Sequence, residues 1–146
     1  MTKEIGERLK FPRKQIEQLV TLVRYHMFAY QPEMTDAAIR RLIRKVGKEN
    51  INDMIMLRIA DRKGSGSKTT SWRFLELQKR IGEQLFEPME INDMAVNGKD
   101  VMEILGVPPG PIVGKILKEL FDEVLEDTDK NKREYLTERI RQLGKV

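Results

Sequence analysis

Residues 111–124 decide the fold, and they read PIVGKILKELFDEV. Their apolar side chains recur every three or four residues, which is the spacing of one face of a helix. Pro111 stands at the first helical position, where its missing N–H is tolerated. The stretch therefore predicts a long helix whose apolar face points into a core: Ile112, Val113, Ile116, Leu117, Leu120, Phe121 and Val124.

The same helical period continues on both sides of this stretch. Further helices are predicted to begin near Pro12, Thr35, Asn50, Ser71, Asn97 and Asn131, and Asn50, Asn97 and Asn131 each precede an acidic residue in the capping-box pattern. The helix after Asn50 is apolar nearly all round and is predicted to be central and buried. About seven helices are expected. The helical pattern is weakest at residues 89–96, which could form a short extended segment. The sequence thus predicts an all-α fold, a compact helical array.

A flexible, low-complexity stretch interrupts the helical pattern at residues 64–71, which read GSGSKTTS. Gly and Ser are typical of linkers, and the stretch lacks the spacing of a phosphate-binding P-loop. We therefore expect two helical subdomains, residues 1–66 and residues 67–146, joined by a Gly/Ser linker.

Composition excludes several kinds of chemistry. The chain has no cysteine and a single histidine, His26, so a disulfide, a thiolate site and a His–His metal cluster are all ruled out. We expect His26 to be a core or boundary residue with a hydrogen-bond partner, and Asp61 to pair with Arg58 or Arg62. Neither a catalytic nor a metal site is predicted. No apolar run reaches the length of a membrane helix and the N-terminus does not read as a signal peptide, so a cytoplasmic location is expected.

Positive charge is concentrated in the first half of the chain. Residues 1–70 hold 15 Lys and Arg against 8 Asp and Glu, a net charge of +7, whereas residues 71–146 hold 12 against 15, a net charge of −3. Four predicted phosphate-binding residues lie on the helix after Thr35, and further cations surround the linker: Arg40, Arg41, Arg44 and Lys48, then Arg58, Arg62, Lys63, Lys68 and Arg73. The same pattern is equally typical of a solvated helix face.

A second candidate site is the turn that joins two predicted helices at residues 106–111, which read GVPPGP. It resembles a helix–hairpin–helix, in which backbone N–H groups at a helix N-terminus hold a phosphate. Val107, Gly110, Ile112, Val113 and Gly114 are the N–H donors that the prolines leave. Lys99, Gly110 and Lys115 are predicted to contact RNA here, although a stiff turn between packed helices is the alternative.

Four stretches in this order resemble the C-terminal part of bacterial tRNA nucleotidyltransferases, the CCA-adding and poly(A) polymerase family. They are residues 59–66 (IADRKGSG), 91–102 (INDMAVNGKDVM), 106–117 (GVPPGPIVGKIL) and 131–134 (NKRE). Residues 1–66 are similar to the C-terminal half of an HD-type helical domain, without the His-Asp doublet that gives that domain its phosphohydrolase chemistry. Residues 67–146 resemble the tail that contacts tRNA.

The resemblance implies an RNA-binding module that holds tRNA while a separate catalytic head, in cis or in trans, adds CCA or adenylate. The chain alone would not be an enzyme and would need no cofactor, whereas the parent enzyme would use Mg²⁺ with CTP or ATP. The alternative is a structural scaffold or a homodimerisation module that does not contact RNA. Neither interpretation involves a membrane.

Overall fold

The computed structural model describes residues 1–68 and 71–145, and across them the chain forms eight α-helices, three short 3-10 turns and no strand. The all-α prediction is confirmed. The chain divides into two compact units, Met1–Leu85 and Phe86–Val146.

The first unit contains five α-helices: α1 (Thr2–Arg8), α2 (Arg13–Tyr25), α3 (Asp36–Val46), α4 (Ile51–Gly64) and α5 (Trp72–Gln84). Helix α1 was not predicted from the sequence. Its one buried residue is Gly6, where an added Cβ would lie 2.9 Å from Cγ1 of Ile16 on α2. Because the buried contact of α1 is made by a glycine, its sequence shows no row of apolar residues at helical spacing. The pattern that predicts the other helices is therefore missing here.

Helix α3 supplies much of the core of the first unit. Thr35 caps it as predicted, because its side chain accepts a hydrogen bond from Ala38 N at 3.2 Å. Its buried residues pack against α5, whose own buried side chains include Phe74, Leu77 and Ile81. Arg80 of α5 fixes the approach to α3, since its guanidinium donates to Met34 O at 2.5 Å and to Asp36 Oδ1 at 2.6 Å.

Helix α4 does not fill the central, buried position that its composition predicts. Only Ile51 and Met54 are buried, and Met56 is 63% exposed. The apolar residues are spread around the whole circumference, and α4 packs against α2 and α3 on one side. The expected capping box at Asn50 is also wrong, because the Asn50 side chain donates backwards to Val46 O at 2.9 Å.

The second unit contains α6 (Gly98–Leu105), α7 (Pro111–Glu126) and α8 (Arg133–Leu143). Helix α7 is the central element, as residues 111–124 predict, and α6 and α8 both pack against it. Its neighbours complete one hydrophobic core: Met94, Val96, Val101, Val113, Ile116, Leu120, Phe121, Val124, Leu125, Leu136 and Ile140.

Residues 89–96 form a 3-10 turn, Ile91–Asp93, rather than an extended strand. The Asp93 carboxylate accepts from Met89 N at 2.9 Å and from Glu90 N at 2.8 Å. The Asn131 side chain holds the next residues, since its oxygen accepts from Ala95 N and its amide donates to Asp93 O. The predicted Asn131–Glu134 capping box is therefore wrong, and α8 begins after Lys132 without a side-chain cap.

The boundary between the two units differs from the expected boundary at residue 66. Helix α5 packs against α3, so residues 71–85 belong to the first unit. The Gly/Ser stretch lies inside that unit, where α4 continues to Gly64 and a turn follows. Residues 69 and 70 of the expected linker lie outside the described residues.

Candidate nucleic-acid interface

One face of α3 carries exposed positive charge. Ile39, Leu42, Ile43 and Val46 are buried on the inner face, while Arg41 and Arg44 are exposed on the outer face. Side chains three residues apart on a helix lie about 5–6 Å apart at Cβ. Lys48 is exposed in the 3-10 turn that follows, Lys48–Asn50, so the three cations form the basic face of α3.

Arg40 is not part of this face, which corrects the sequence-based prediction. Its side chain is buried, with only 5% exposed, and its Nη1 donates to Gln84 Oε1 of α5 at 2.6 Å. Arg40 lies on the side of α3 that packs against α5, and its charge ties the two helices together instead of facing solvent. A phosphate has no access to a guanidinium held in this way.

The two units differ in net charge. Residues 1–85 hold 18 Lys and Arg against 10 Asp and Glu, a net charge of +8, and residues 86–146 hold 9 against 13, a net charge of −4. The positive electrostatic potential of the chain is therefore expected to be strongest around the first unit.

The Glu123 carboxylate of the second unit is neutralised within that unit. Arg139 and Tyr135 both donate to the Glu123 carboxylate, at 3.0 Å from Arg139 Nε and 2.9 Å from the Tyr135 hydroxyl. The hydrogen bond from Arg139 lowers the pKa of Glu123 below its usual value, and the same carboxylate raises the pKa of Tyr135. These groups form a structural network rather than a site for a ligand.

The α6–α7 turn in the second unit has the geometry of a hairpin between two capped helices. Asn97 accepts hydrogen bonds from Lys99 N and Asp100 N, and Asp100 accepts one from Asn97 N at 2.7 Å, so the predicted capping box is confirmed. Gly106 ends α6 in the left-handed region at φ 64°, where glycine is favoured. Gly110 is extended, with φ 178°, and precedes Pro111.

The start of α7 lies on the surface, but it offers fewer donors than the sequence suggests. Val107 N donates to Met102 O and Val113 N to Gly110 O, so two of the five expected donors are used within the turn. Gly110, Lys115 and Lys99 are all exposed. The structure thus divides the predicted RNA contacts between the two units, with the basic face of α3 in the first and the hairpin residues in the second.

His26 and the arginines near Asp61 contact backbone carbonyl oxygens. His26 is half-buried and its Nδ1 lies 2.8 Å from Val23 O, as expected for a boundary histidine. Arg58 donates to Phe28 O and Arg62 donates to Lys68 O. Among the described residues neither arginine forms an ion pair with Asp61, so the expected pairing is wrong. Within residues 1–68 and 71–145, no three His, Cys, Asp or Glu side chains are grouped as metal ligands. None of the helices described there is both long and apolar enough to cross a bilayer.

These features define a helical protein module with a cationic surface in its first unit. The chain belongs to the tRNA nucleotidyltransferase domain 2 family, whose model matches residues 2–140. This finding confirms the resemblance that the order of the sequence motifs implies.

Two curated relatives are similar over most of the chain. The A-adding tRNA nucleotidyltransferase of Deinococcus radiodurans is 32% identical over 126 residues, which is 84% of this chain and 28% of the relative. The CC-adding tRNA nucleotidyltransferase of Thermus thermophilus is 33% identical over 119 residues, 81% of this chain and 26% of the relative. The chain thus spans about a quarter of the length of these relatives. No solved structure matches it.

Proposed function

We propose that this chain is the part of a tRNA nucleotidyltransferase that holds tRNA while a catalytic head, in cis or in trans, adds nucleotides. One observation carries the proposal. The chain is similar to an A-adding and to a CC-adding enzyme at nearly the same identity and over nearly the same share of its length. A region shared by enzymes with different products serves what they have in common, which by their names is the tRNA, and not the choice of nucleotide.

The charge distribution supports contact with a polyanion. The basic face of α3, Arg41, Arg44 and Lys48, lies in the unit with net charge +8 and would neutralise phosphates without reading bases. Lys99 and Lys115 would add contacts beside Gly110, where the N-terminal end of α7 carries about half a positive unit charge. A tRNA substrate also fits the cytoplasmic location that the sequence predicts.

Salt dependence of tRNA binding tests the proposal. If about three to five phosphates are neutralised, log K should fall with log salt with a slope of about −2 to −4. The double variant Arg41→Glu/Arg44→Glu should bind more weakly and with a shallower slope. The control is Lys3→Glu/Lys79→Glu, which makes the same change of charge at two exposed lysines of the same unit. A flat salt response, or equal effects of both double variants, would contradict the proposal.

The hairpin contact has its own test. Lys115→Glu should weaken binding to all tRNAs by a similar factor and make the slope shallower by about 0.7–0.9. Its thermal midpoint should hardly change, since Lys115 is exposed. Lys118→Glu is the matched control, as Lys118 is exposed three residues further along α7. If Lys115→Glu binds like the parent, the hairpin is only a stiff turn.

Catalysis is proposed to reside in the head, which would bind Mg²⁺ with CTP or ATP. We therefore expect the 146-residue chain alone to incorporate no labelled CTP or ATP into tRNA, because phosphoryl transfer needs metal ligands that are not grouped in the described residues. Incorporation by the pure chain would contradict this part of the proposal.

A scaffold or homodimerisation module is the second candidate, and one observation favours it. Leu19, Val23 and Met27 are 36%, 44% and 66% exposed. They lie four residues apart along one side of α2, and Met27 follows just after its last residue. This spacing makes an apolar stripe of the kind that packs against another helix. Sedimentation velocity of the parent and of Val23→Asp tests it, since a dimer formed through this stripe should dissociate in the variant.

A further inference from the structure

A cleft of about 480 Å³ opens in the first unit between the loop before α3, helix α4 and the start of α5. This volume lies within the range of about 300–1,000 Å³ that is usual for small-ligand sites. Three arginines and three aromatic residues line it, and its described lining includes no acidic residue: Arg58, Arg62, Arg73, Tyr30, Trp72 and Phe74.

Trp72 gives the cleft a flat aromatic surface. It is the chain's one tryptophan and is 62% exposed, although it is the first residue of α5 and follows the Ser71 cap. The Arg73 guanidinium carbon lies 5.4 Å from its ring centroid. Because Trp72 belongs to a capped helix, the position of its indole ring is fixed at the surface. Every nucleobase has a flat face that can stack on such a ring.

Arg58 and Arg62 bring positive charge to the cleft, whose described lining contains no carboxylate. Arg58 is fixed by its bond to Phe28 O at 2.6 Å and by its position over the Phe74 ring, 5.4 Å from the centroid. Arg62 is held through Nε by Lys68 O at 2.7 Å. Burial, and then the charge of Arg62, lower the pKa of Arg58. Two guanidinium groups that repel each other in this way favour an anionic ligand between them.

We propose that this cleft binds one unpaired nucleotide of an RNA strand, with its base stacked on Trp72 and its phosphate held by Arg58 and Arg62. A base within a duplex is stacked on both faces, so only an unstacked base can use the indole. The assignment of the strand to tRNA rests on the function proposed above. A free nucleotide offers the same chemistry from another source, and the experiment below separates the two.

Trp72 also provides the measurement, because a stacked base quenches indole fluorescence and no other tryptophan contributes. The full chain is titrated at low salt with the tetramers rC4 and rA4, with CMP and AMP, and with a blunt RNA duplex. The tetramers should quench saturably and bind more tightly than the mononucleotides, and the duplex should not quench. Equal quenching by duplex and tetramer, or equal affinity for CMP and rC4, would overturn the proposal.

Two variants separate stacking from phosphate binding, with anisotropy of a labelled tetramer as the readout. Trp72→Leu should weaken binding by about 5- to 150-fold and leave the salt slope unchanged. Arg62→Gln should make the slope shallower by about 0.7, and Arg62→Lys should restore it. Leu75→Ala and Lys79→Gln are the controls, since both residues are exposed on α5 and neither lines the cleft. Binding of Trp72→Leu within twofold of the parent, or an unchanged slope in Arg62→Gln, would overturn the proposal.

Titration with whole tRNA distinguishes this inference from the proposed function. Salt-dependent tRNA binding in which Trp72→Leu behaves like the parent overturns the cleft and leaves the proposed function standing. Quenching by tetramers without binding of tRNA supports the cleft and overturns the proposed function. Absence of both overturns both.

Discussion

Replacing Asp100 with Asn tests how the second unit holds its hairpin. The Asp100 carboxylate accepts a hydrogen bond from Asn97 N at 2.7 Å and pairs with Arg133 at 2.5 Å, and its side chain is only 12% exposed. It also lies in the first turn of α6, where negative charge is favourable. Asn has nearly the same shape and keeps one oxygen that can accept from Asn97 N, but its NH2 group replaces the oxygen that accepts from Arg133. The variant therefore removes the charge and the pair with Arg133.

The expected cost follows from these contacts. Loss of the charge at the helix N-terminus costs about 0.3–1 kcal/mol. The pair with Arg133, whose side chain is 64% exposed, contributes about 0.2–1 kcal/mol. Asp100→Asn should therefore destabilise the chain by about 0.5–2 kcal/mol at pH 7. Asp100→Ala should cost more, because the acceptor for Asn97 N is lost as well.

Urea unfolding, monitored by circular dichroism, measures the loss of unfolding free energy. Hydrogen–deuterium exchange of the backbone amides of α6 measures the local loss of stability. Glu103→Gln, the same charge change at an exposed position of α6, is the control and should be nearly neutral. The hydrogen bond from Asn97 N, followed by Arg133, lowers the folded pKa of Asp100 below its ordinary value of about 3.9. The charge therefore stabilises fully above about pH 5, and its contribution is lost as pH falls through the folded pKa. A difference between parent and variant that is as large at pH 2.5 as at pH 7 would refute this account.

Three further substitutions follow from the structure. Arg40→Met should cost about 1–3 kcal/mol of unfolding free energy by leaving Gln84 Oε1 without its partner, yet it should not change the salt slope of tRNA binding. Gly106→Ala should cost about 1–2 kcal/mol in urea unfolding, since φ is 64° and an added Cβ would meet nothing within 4 Å, so the penalty comes from the backbone alone. Glu123→Gln should lower the unfolding free energy by about 1–3 kcal/mol at pH 7, because Arg139 loses its charged hydrogen-bond acceptor. That cost should disappear in acid unfolding series as pH falls through the lowered folded pKa of Glu123.

Except for α1, the positions of the helices could be predicted from the sequence, whereas their caps could be predicted only in part. The pattern of Asn followed by an acidic residue three positions later occurs at Asn50, Asn97 and Asn131, and it forms a capping box only at Asn97. Asn50 follows a 3-10 turn and has a helical backbone, with φ −98° and ψ −6°, so its side chain turns back to Val46. Asn131 bonds residues 93 and 95 instead. The 3-10 turn before α4 decided the first case, and partners 36 and 38 residues away decided the second. The local pattern of Asn and an acidic residue contains neither kind of information.

The candidate site shows the same limit. The exposed face of α3 could be predicted because Arg41 and Arg44 lie opposite the apolar face of the helix. The burial of Arg40 could not, because its partner Gln84 is 44 residues away. Trp72 was not singled out from the sequence, although it is the sole tryptophan and directly precedes Arg73. Folding brings Arg58 of α4 to the same cleft, and spacing alone does not show that approach.

The irregular segment at residues 89–96 has a consequence for how sequences of this kind can diverge. It has no α-helix or strand, yet Met89, Met94 and Val96 are 2%, 8% and 2% exposed. Asp93 and Asn131 also bond its backbone at four points. An inserted residue would displace the buried side chains and break these hydrogen bonds at the same time. The number of residues in the segment is therefore as constrained as it is in a helix of the core. Natural insertions and deletions should therefore avoid it and accumulate at exposed turns such as residues 65–67.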